Sequence, residues 1–163
     1  MSLSKIMTWD EALKWRKESR EKGEKVVFTN GCFDLLHMGH ISLLQEAKKL
    51  GNKLIVGLNS DESTRKIKGP KRPLRPQQER AEVLAGLKPT DSVVIFDEVD
   101  PLRLILFIKP NILVKGGDWE IEEVIGAKEV FGWDGKVFSI PTLSGRSTTK
   151  IIKTIEGINE KTL

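Results

Sequence analysis

Cysteine is nearly absent from this chain: of 163 residues, Cys32 alone is one. A lone thiol excludes an intrachain disulfide framework and a cysteine-based zinc cluster, and it fits a reducing, cytoplasmic setting. Long apolar runs are missing too. The longest covers residues 104–108, five residues, against the roughly 20 that a membrane-spanning helix needs. Residues 1–5 lead into no apolar stretch, so no secretory signal is read there, and residues 1–7 are read as a tail outside the fold, such as a cloning remnant. Cations barely outnumber acids, 27 to 23, for a net charge of +4. The excess is local. Arg65, Lys66, Lys68, Lys71, Arg72 and Arg75 place six cations and no acid in eleven residues, and without them the balance is 4 − 6 = −2. A nucleic-acid binder carries its positive charge over a wider face, so neither nucleic acid nor membrane is expected as a partner. The basic run reads as a mobile lip for phosphates.

What is present is an alternation of short apolar runs and helical patterns. Thr8 with Glu11 forms a capping-box signature for a helix over residues 9–22. Strands are expected at 26–28, 54–58, 93–96, 112–114 and 137–140, where β-branched and apolar residues cluster. Between them, Ile41, Leu43, Leu44, Ala47 and Leu50 fall at helical spacing before Gly51. Pro70, Pro73 and Pro76 make 65–76 a loop, and Pro76 opens a helix to about Leu87. Further helices are expected from Asp100-Pro101 to Ile108, near 120–126, and from Ser147 onward, with Ile151, Ile152, Ile155 and Ile158 on one face. Strands alternating with helices predict an α/β protein: a single doubly wound, Rossmann-like domain over residues 1–163 with a five-stranded parallel sheet. Ligands of such sheets bind beyond the carboxyl ends of the strands, at the switch point.

The strongest local signal follows the first strand: Thr29-Asn30-Gly31-Cys32-Phe33-Asp34-Leu35-Leu36-His37-Met38-Gly39-His40. No Gly-Lys-Ser/Thr follows, so it is not a Walker loop, and it is not the Gly-x-Gly-x-x-Gly dinucleotide fingerprint. His37 and His40, the two histidines of the chain, are three residues apart at a helix start, so both rings can address one ligand. The amides and dipole of that helix end favour an anion, and Gly39 clears space for it. The dipole also lowers a nearby histidine pKa, which makes neutral N–H donors. A two-histidine metal site is the alternative, but no third ligand is evident.

Gly31-Cys32-Phe33-Asp34 with His37-x-Gly39-His40, together with Ser147-Thr148-Thr149-Lys150-Ile151-Ile152, resembles the nucleotidyltransferases of the cytidylyltransferase superfamily. More narrowly, three features are similar to the adenylyltransferase domain of ADP-heptose synthesis enzymes. These are Lys68-Gly69-Pro70 continuing through Arg72-Pro73-Leu74 to Arg80-Ala81-Glu82-Val83-Leu84-Ala85, the Leu113-Val114-Lys115-Gly116-Gly117-Asp118-Trp119 turn, and Val124-Ile125-Gly126-Ala127. The resemblance spans about residues 8–156 and implies the stand-alone form, without a sugar kinase. It implies transfer of AMP from ATP to D-glycero-β-D-manno-heptose 1-phosphate, giving ADP-heptose for lipopolysaccharide assembly, with Mg²⁺ bound through the ATP phosphates and no protein metal site. A homodimer is also implied.

Carried over by the resemblance, His37, His40 and Lys68 are the catalytic residues. Thr29, Asn30, Gly31, Cys32, Phe33 and Gly39 line the nucleotide, as do Lys115, Gly117, Asp118, Ser147, Thr148 and Thr149. Arg72 and Arg80 bind phosphate or substrate. The polyol-phosphate cytidylyltransferases have an arginine where this chain has Leu143; here Arg146 directly precedes the Ser-Thr-Thr motif. Asp34 is a weak metal candidate, Cys32 reads as a packed side chain rather than a nucleophile, and Trp119 is the tryptophan placed to stack on a base. Alternative readings are a cytidylyltransferase for glycerol 3-phosphate or another polyol phosphate, a flavin adenylyltransferase, or a non-enzymatic nucleotide- or RNA-binding module.

Overall fold

A computed structural model describes residues 4–143 and 147–162, with side chains described to residue 157. Five parallel strands, β1 (Val26–Gly31), β2 (Lys53–Asn59), β3 (Ser92–Phe96), β4 (Ile112–Gly116) and β5 (Lys136–Ile140), form one sheet in the order β3-β2-β1-β4-β5. This is the doubly wound order: the chain moves outward from β1 in one direction, then returns to its other side. Every expected strand is present, each longer than its apolar core. The extra residues, such as Asn30, Gly31, Lys115 and Gly116, are polar or glycine, and they carry the strands to the site.

The two faces follow from alternation along each strand. Val26 and Phe28 point to one side, where Ala12 of helix α1 (Trp9–Glu21), Leu104, Ile105 and Ile108 of α5 (Leu102–Ile108), and Val130 of α6 (Ala127–Gly132) cover them. Val27 points to the other, against Leu43, Leu44 and Ala47 of α2 (Met38–Lys49) and Ala81 and Leu84 of α4 (Gln77–Ala85). Gly57 of β2 is where Phe28 passes: a Cβ there would lie 2.7 Å from Phe28 Cζ. The Thr8–Glu11 capping box is formed, Thr8 N–H donating to Glu11 Oε2 at 2.7 Å.

Three expectations need correction. The stretch 65–76 is not all loop. Ser60 caps a helix, α3 (Asp61–Lys68), whose last turn carries Arg65, Lys66 and Lys68; the prolines that signalled a loop all follow Gly69, the residue at which this helix stops. Residues 5–7 are not outside the fold. Val93 N–H donates to Lys5 O at 2.8 Å and Met7 N–H to Val93 O at 2.9 Å, so the segment bridges the open edge of β3. The short helix near 120–126 is a 3₁₀ turn, Ile121–Glu123, followed by the separate α6. The last helix, α7 (Thr148–Thr162), starts one residue after its cap Ser147, whose Oγ accepts the Lys150 N–H at 3.0 Å. Arg146 and the side chain of Ile158 lie outside the described residues.

The sheet opens at its switch point. β1 pairs with β2 as far as Gly31↔Leu58, but with β4 only at Val27↔Ile112 and Phe28↔Leu113. Beyond Phe28 the two central strands part, and the gap becomes a cleft.

Candidate active site

The cleft has a volume of about 710 Å³ and lies over the carboxyl ends of β1 and β4. Asn30, Gly31, Cys32 and Phe33 form its floor. Gly31 fits because a Cβ there would come 2.9 Å from the Phe33 ring. Phe33 takes a left-handed backbone, φ +43, uncommon for a residue with a side chain. The kink turns its ring inward: Phe33 is buried, 5.1 Å from the His40 ring.

His37 is the N-cap of α2, and its Nδ1 accepts the Gly39 N–H at 3.1 Å. His40, one turn on, accepts the His37 N–H at its own Nδ1, at 3.4 Å. The rings stack, centroids 3.8 Å apart and 27° between planes. An Nδ1 that accepts an amide proton cannot carry one, so these hydrogen bonds assign the neutral tautomer with the proton on Nε2 to both rings. Burial, and then the neighbouring His37, push the His40 pKa down to about 4. At neutral pH His40 is therefore an uncharged N–H donor at the start of a helix.

Cations surround the floor. Lys68, at the end of α3, and Arg72 line one wall, and Lys115, at the end of β4, the other. Burial holds the Lys115 ammonium below its ordinary pKa; Cys32 opposes this and Lys68 adds to it. The Lys115 Nζ sits 5.3 Å from the centre of the Trp119 ring. Trp119 is half exposed and helps line a small apolar side pocket of about 110 Å³ that shares Asn30, Pro101, Lys115 and Ile125 with the cleft. Ser147, Thr148 and Thr149 close the far end; Thr148 Oγ1 donates to Leu35 O at 2.8 Å, tying α7 to the loop before α2. Gly39 lies on the cleft between the histidines.

Four expected residues stand apart. Thr29 is fully buried in the sheet and does not line the cleft. Gly117, at φ +111, makes the turn after β4, where Ser139 Oγ donates to its carbonyl, and Asp118 beside it is exposed. Arg80, expected to bind an anion, is a buried strut: Nη1 donates to Cys32 O at 2.6 Å and Asn59 O at 2.8 Å, Nε to Arg75 O at 2.9 Å, and Nη2 to Asp61 at 2.8 Å. Four of its five N–H groups face protein acceptors, so it holds the site's frame. Asp34 is also committed. Its carboxylate accepts from Arg72 Nε at 2.7 Å and from the Leu74 and Arg75 N–H groups. Among the described residues no three His, Cys, Asp or Glu side chains gather as a metal cage.

Residues outside the motifs complete the walls: Asn59 at the end of β2, Ile67 of α3, Val99, Asp100 and Pro101 after β3, and Ile125. The carboxyl-end rule that located the histidines also points to Asn59, the last residue of β2, and to Asp100, in the loop after β3. Ile67 needed α3 to be recognised first.

The cytidylyltransferase-like family matches residues 28–154. Proteins named bifunctional protein HldE are similar: that of Koribacter versatilis (strain Ellin345) is 50% identical over 150 residues, which is 92% of this chain and 31% of that protein. HldE of Syntrophotalea carbinolica is 55% identical over 136 residues, 83% of this chain and 28% of that one. The chain thus spans under a third of the length of these relatives. Among solved structures, the lipopolysaccharide core biosynthesis protein from Thermoplasma volcanium GSS1 superposes with a TM-score of 0.61 at 30% identity, over 74% of this chain and 98% of that one. A pantoate-beta-alanine ligase from Francisella tularensis, at TM-score 0.64 and 20% identity over 90% of this chain and 69% of that one, shares the fold. The chain belongs to the cytidylyltransferase-like family of nucleotidyltransferases.

Proposed function

We propose that this chain transfers AMP from ATP to a sugar 1-phosphate, D-glycero-β-D-manno-heptose 1-phosphate, giving ADP-heptose and pyrophosphate. A phosphate oxygen of the sugar attacks the α-phosphorus in line. A P–O bond forms, the bond to the β-phosphate oxygen breaks, and pyrophosphate leaves with that electron pair. The nucleophile is already ionised near neutral pH, as a phosphate monoester has a second pKa near 6, so no general base is needed. What the protein must supply is position and charge stabilisation.

The observation that carries this reading is the stacked His37–His40 pair, each ring bound through Nδ1 to a backbone N–H. Both then act as neutral Nε2–H donors to phosphate oxygens as negative charge grows on them. The amides of the 30–33 turn and the start of α2 add fixed dipoles. Lys68, Arg72 and Lys115 neutralise the triphosphate and the departing pyrophosphate. Arg80 acts in this reading by holding the floor.

The residues suit Mg²⁺ carried in on phosphate oxygens, because the Asp34 carboxylate is already bonded to three N–H groups and Asp100 is the acid left on the wall. That ion supplies charge neutralisation on the triphosphate. A homodimer and a cytoplasmic location go with this reading as expectations from the resemblance and the lone cysteine.

A pyrophosphate-release assay tests it, with ATP, CTP, GTP and UTP each paired with heptose 1-phosphate, glycerol 3-phosphate and FMN. Fastest turnover is expected with ATP and heptose 1-phosphate. Fastest turnover with CTP and glycerol 3-phosphate, or with ATP and FMN, would replace the assignment.

A further inference from the structure

A segment with three prolines and three cations, residues 69–76, has the composition of a solvated flap. The structure holds it by one buried carboxylate. The Asp34 side chain has no exposed surface. Its oxygens accept from Arg72 Nε at 2.7 Å, from the Leu74 N–H at 2.9 Å and from the Arg75 N–H at 3.1 Å. All three donors belong to the segment. Burial raises the carboxyl pKa, but the Leu74 N–H, the Arg72 side chain and the Arg75 N–H together hold it below the usual carboxylate value. A buried carboxylate so bonded is a rigid anchor, because leaving any of these donors unmatched in that setting is costly.

The anchor is doubled. Arg75 is gripped through its N–H by Asp34 and through its carbonyl by Arg80, at 2.9 Å. Arg80 in turn bonds Cys32 O, two residues before Asp34 on the cleft floor. The basic segment and the 30–34 turn are therefore one unit, joined by contacts within the protein. Arg72 is fixed by its Nε at the cleft wall with 13% of its side chain exposed.

We propose that Asp34 is a positioning residue: it folds residues 69–76 against the phosphate-binding turn and acts on a bound triphosphate through Arg72, not by binding a metal ion or a reactant itself. This rests on the reading of the cleft as a triphosphate site.

The test combines three measurements on the full chain: hydrogen exchange without nucleotide, calorimetric binding of ATP–Mg²⁺ and of tripolyphosphate, and the Mg²⁺ dependence of ATP binding. The variants are Asp34→Asn, Arg72→Gln and the double. In the wild type, the Leu74 and Arg75 amides should exchange at least about tenfold slower than an unstructured peptide, the slowing of a hydrogen bond to a charged acceptor. Exchange at the unstructured rate overturns the proposal with no variant needed. Asp34→Asn should release both amides and weaken ATP about tenfold, as Arg72→Gln does, and the double should bind no worse than either single. Losses that multiply in the double, or a changed Mg²⁺ requirement in Asp34→Asn alone, mean that Asp34 meets the ligand directly and overturn it. A wild type that binds neither ATP nor tripolyphosphate overturns the triphosphate reading and the Arg72 step with it. Normal wild-type binding with multiplying losses overturns the Asp34 assignment alone.

Discussion

His37 and His40 fix each other: His40 Nδ1 accepts the His37 N–H, His37 Nδ1 accepts the Gly39 N–H, and the rings stack 3.8 Å apart. Each ring thereby caps the helix and presents a protonated Nε2. The two duties separate by substitution. His37→Asn keeps a good N-cap residue but shortens the donor, so its melting temperature should stay near wild type while turnover falls about 10²–10³-fold, as for loss of one preorganised donor. His40→Ala should lose turnover to a similar degree. Pyrophosphate release measures the first effect, calorimetry the ATP affinity, which should change far less. Near-normal turnover in both variants would remove the pair from the mechanism.

His40 also sets a pH dependence of stability. Its pKa falls from 6.5 to about 4 on folding, through burial and then His37. Above pH 6.5 the ring is neutral in both states and contributes nothing to the pH slope. Between 6.5 and 4 the unfolded chain binds a proton that the folded chain refuses, so stability falls as pH falls. Below 4 the loss is complete, on the order of 3 kcal/mol. Urea midpoints from pH 7 to 4.5 should drop for the wild type and drop less for His40→Gln. An NMR titration of the His40 ring with a midpoint near 6.5 would contradict the assignment.

The sheet and the histidine turn were legible from the residues alone because both are local signals: apolar runs bounded by turn residues, and a motif joining strand to helix. What escaped was decided at long range. Arg80 looks like an anion binder in sequence, since nothing local shows that four of its N–H groups meet carbonyls and a carboxylate from three other segments. Helix α3 was hidden by its composition, with seven polar residues in eight and the prolines just beyond. Its signal was present in Ser60-Asp61-Glu62, a cap followed by first-turn acids. The anchored loop had no signal at all: Asp34 and Leu74 are forty residues apart.

Arg80→Ala should act on stability before chemistry. It leaves the carbonyls of Cys32 and Asn59 without their donor in a site where Arg80 is 2% exposed. Removing one partner of a buried ion pair costs about 3–5 kcal/mol. Because Asp61 keeps 30% of its side-chain surface exposed, the lower end is expected for this pair. Arg80→Lys restores charge but not the fork, so it should recover less than half of the loss. Denaturant unfolding gives both values, and an Arg80→Ala midpoint equal to wild type would return Arg80 to a ligand-binding role.

Removing residues 1–7 should weaken the fold at the edge of the sheet, near the amino end of β3. β3 is an edge strand, and an edge presents unpaired N–H and C=O groups to solvent and to other chains. Lys5 O and the Met7 N–H pair with both backbone groups of Val93 at 2.8 and 2.9 Å, and Met7 and Ile6 pack against the two cores. Two hydrogen bonds at about 1 kcal/mol each, with the apolar contacts added, give an expected loss of about 2–4 kcal/mol. The Thr8 cap is retained in this truncation, so α1 itself should persist. Hydrogen exchange at Val93 should quicken by the same free energy, while exchange at the Gly39 and His40 amides stays as it was. If the truncated chain keeps its denaturation midpoint and its slow Val93 amide, residues 5–7 contribute nothing to the sheet, and the tail reading drawn from composition returns.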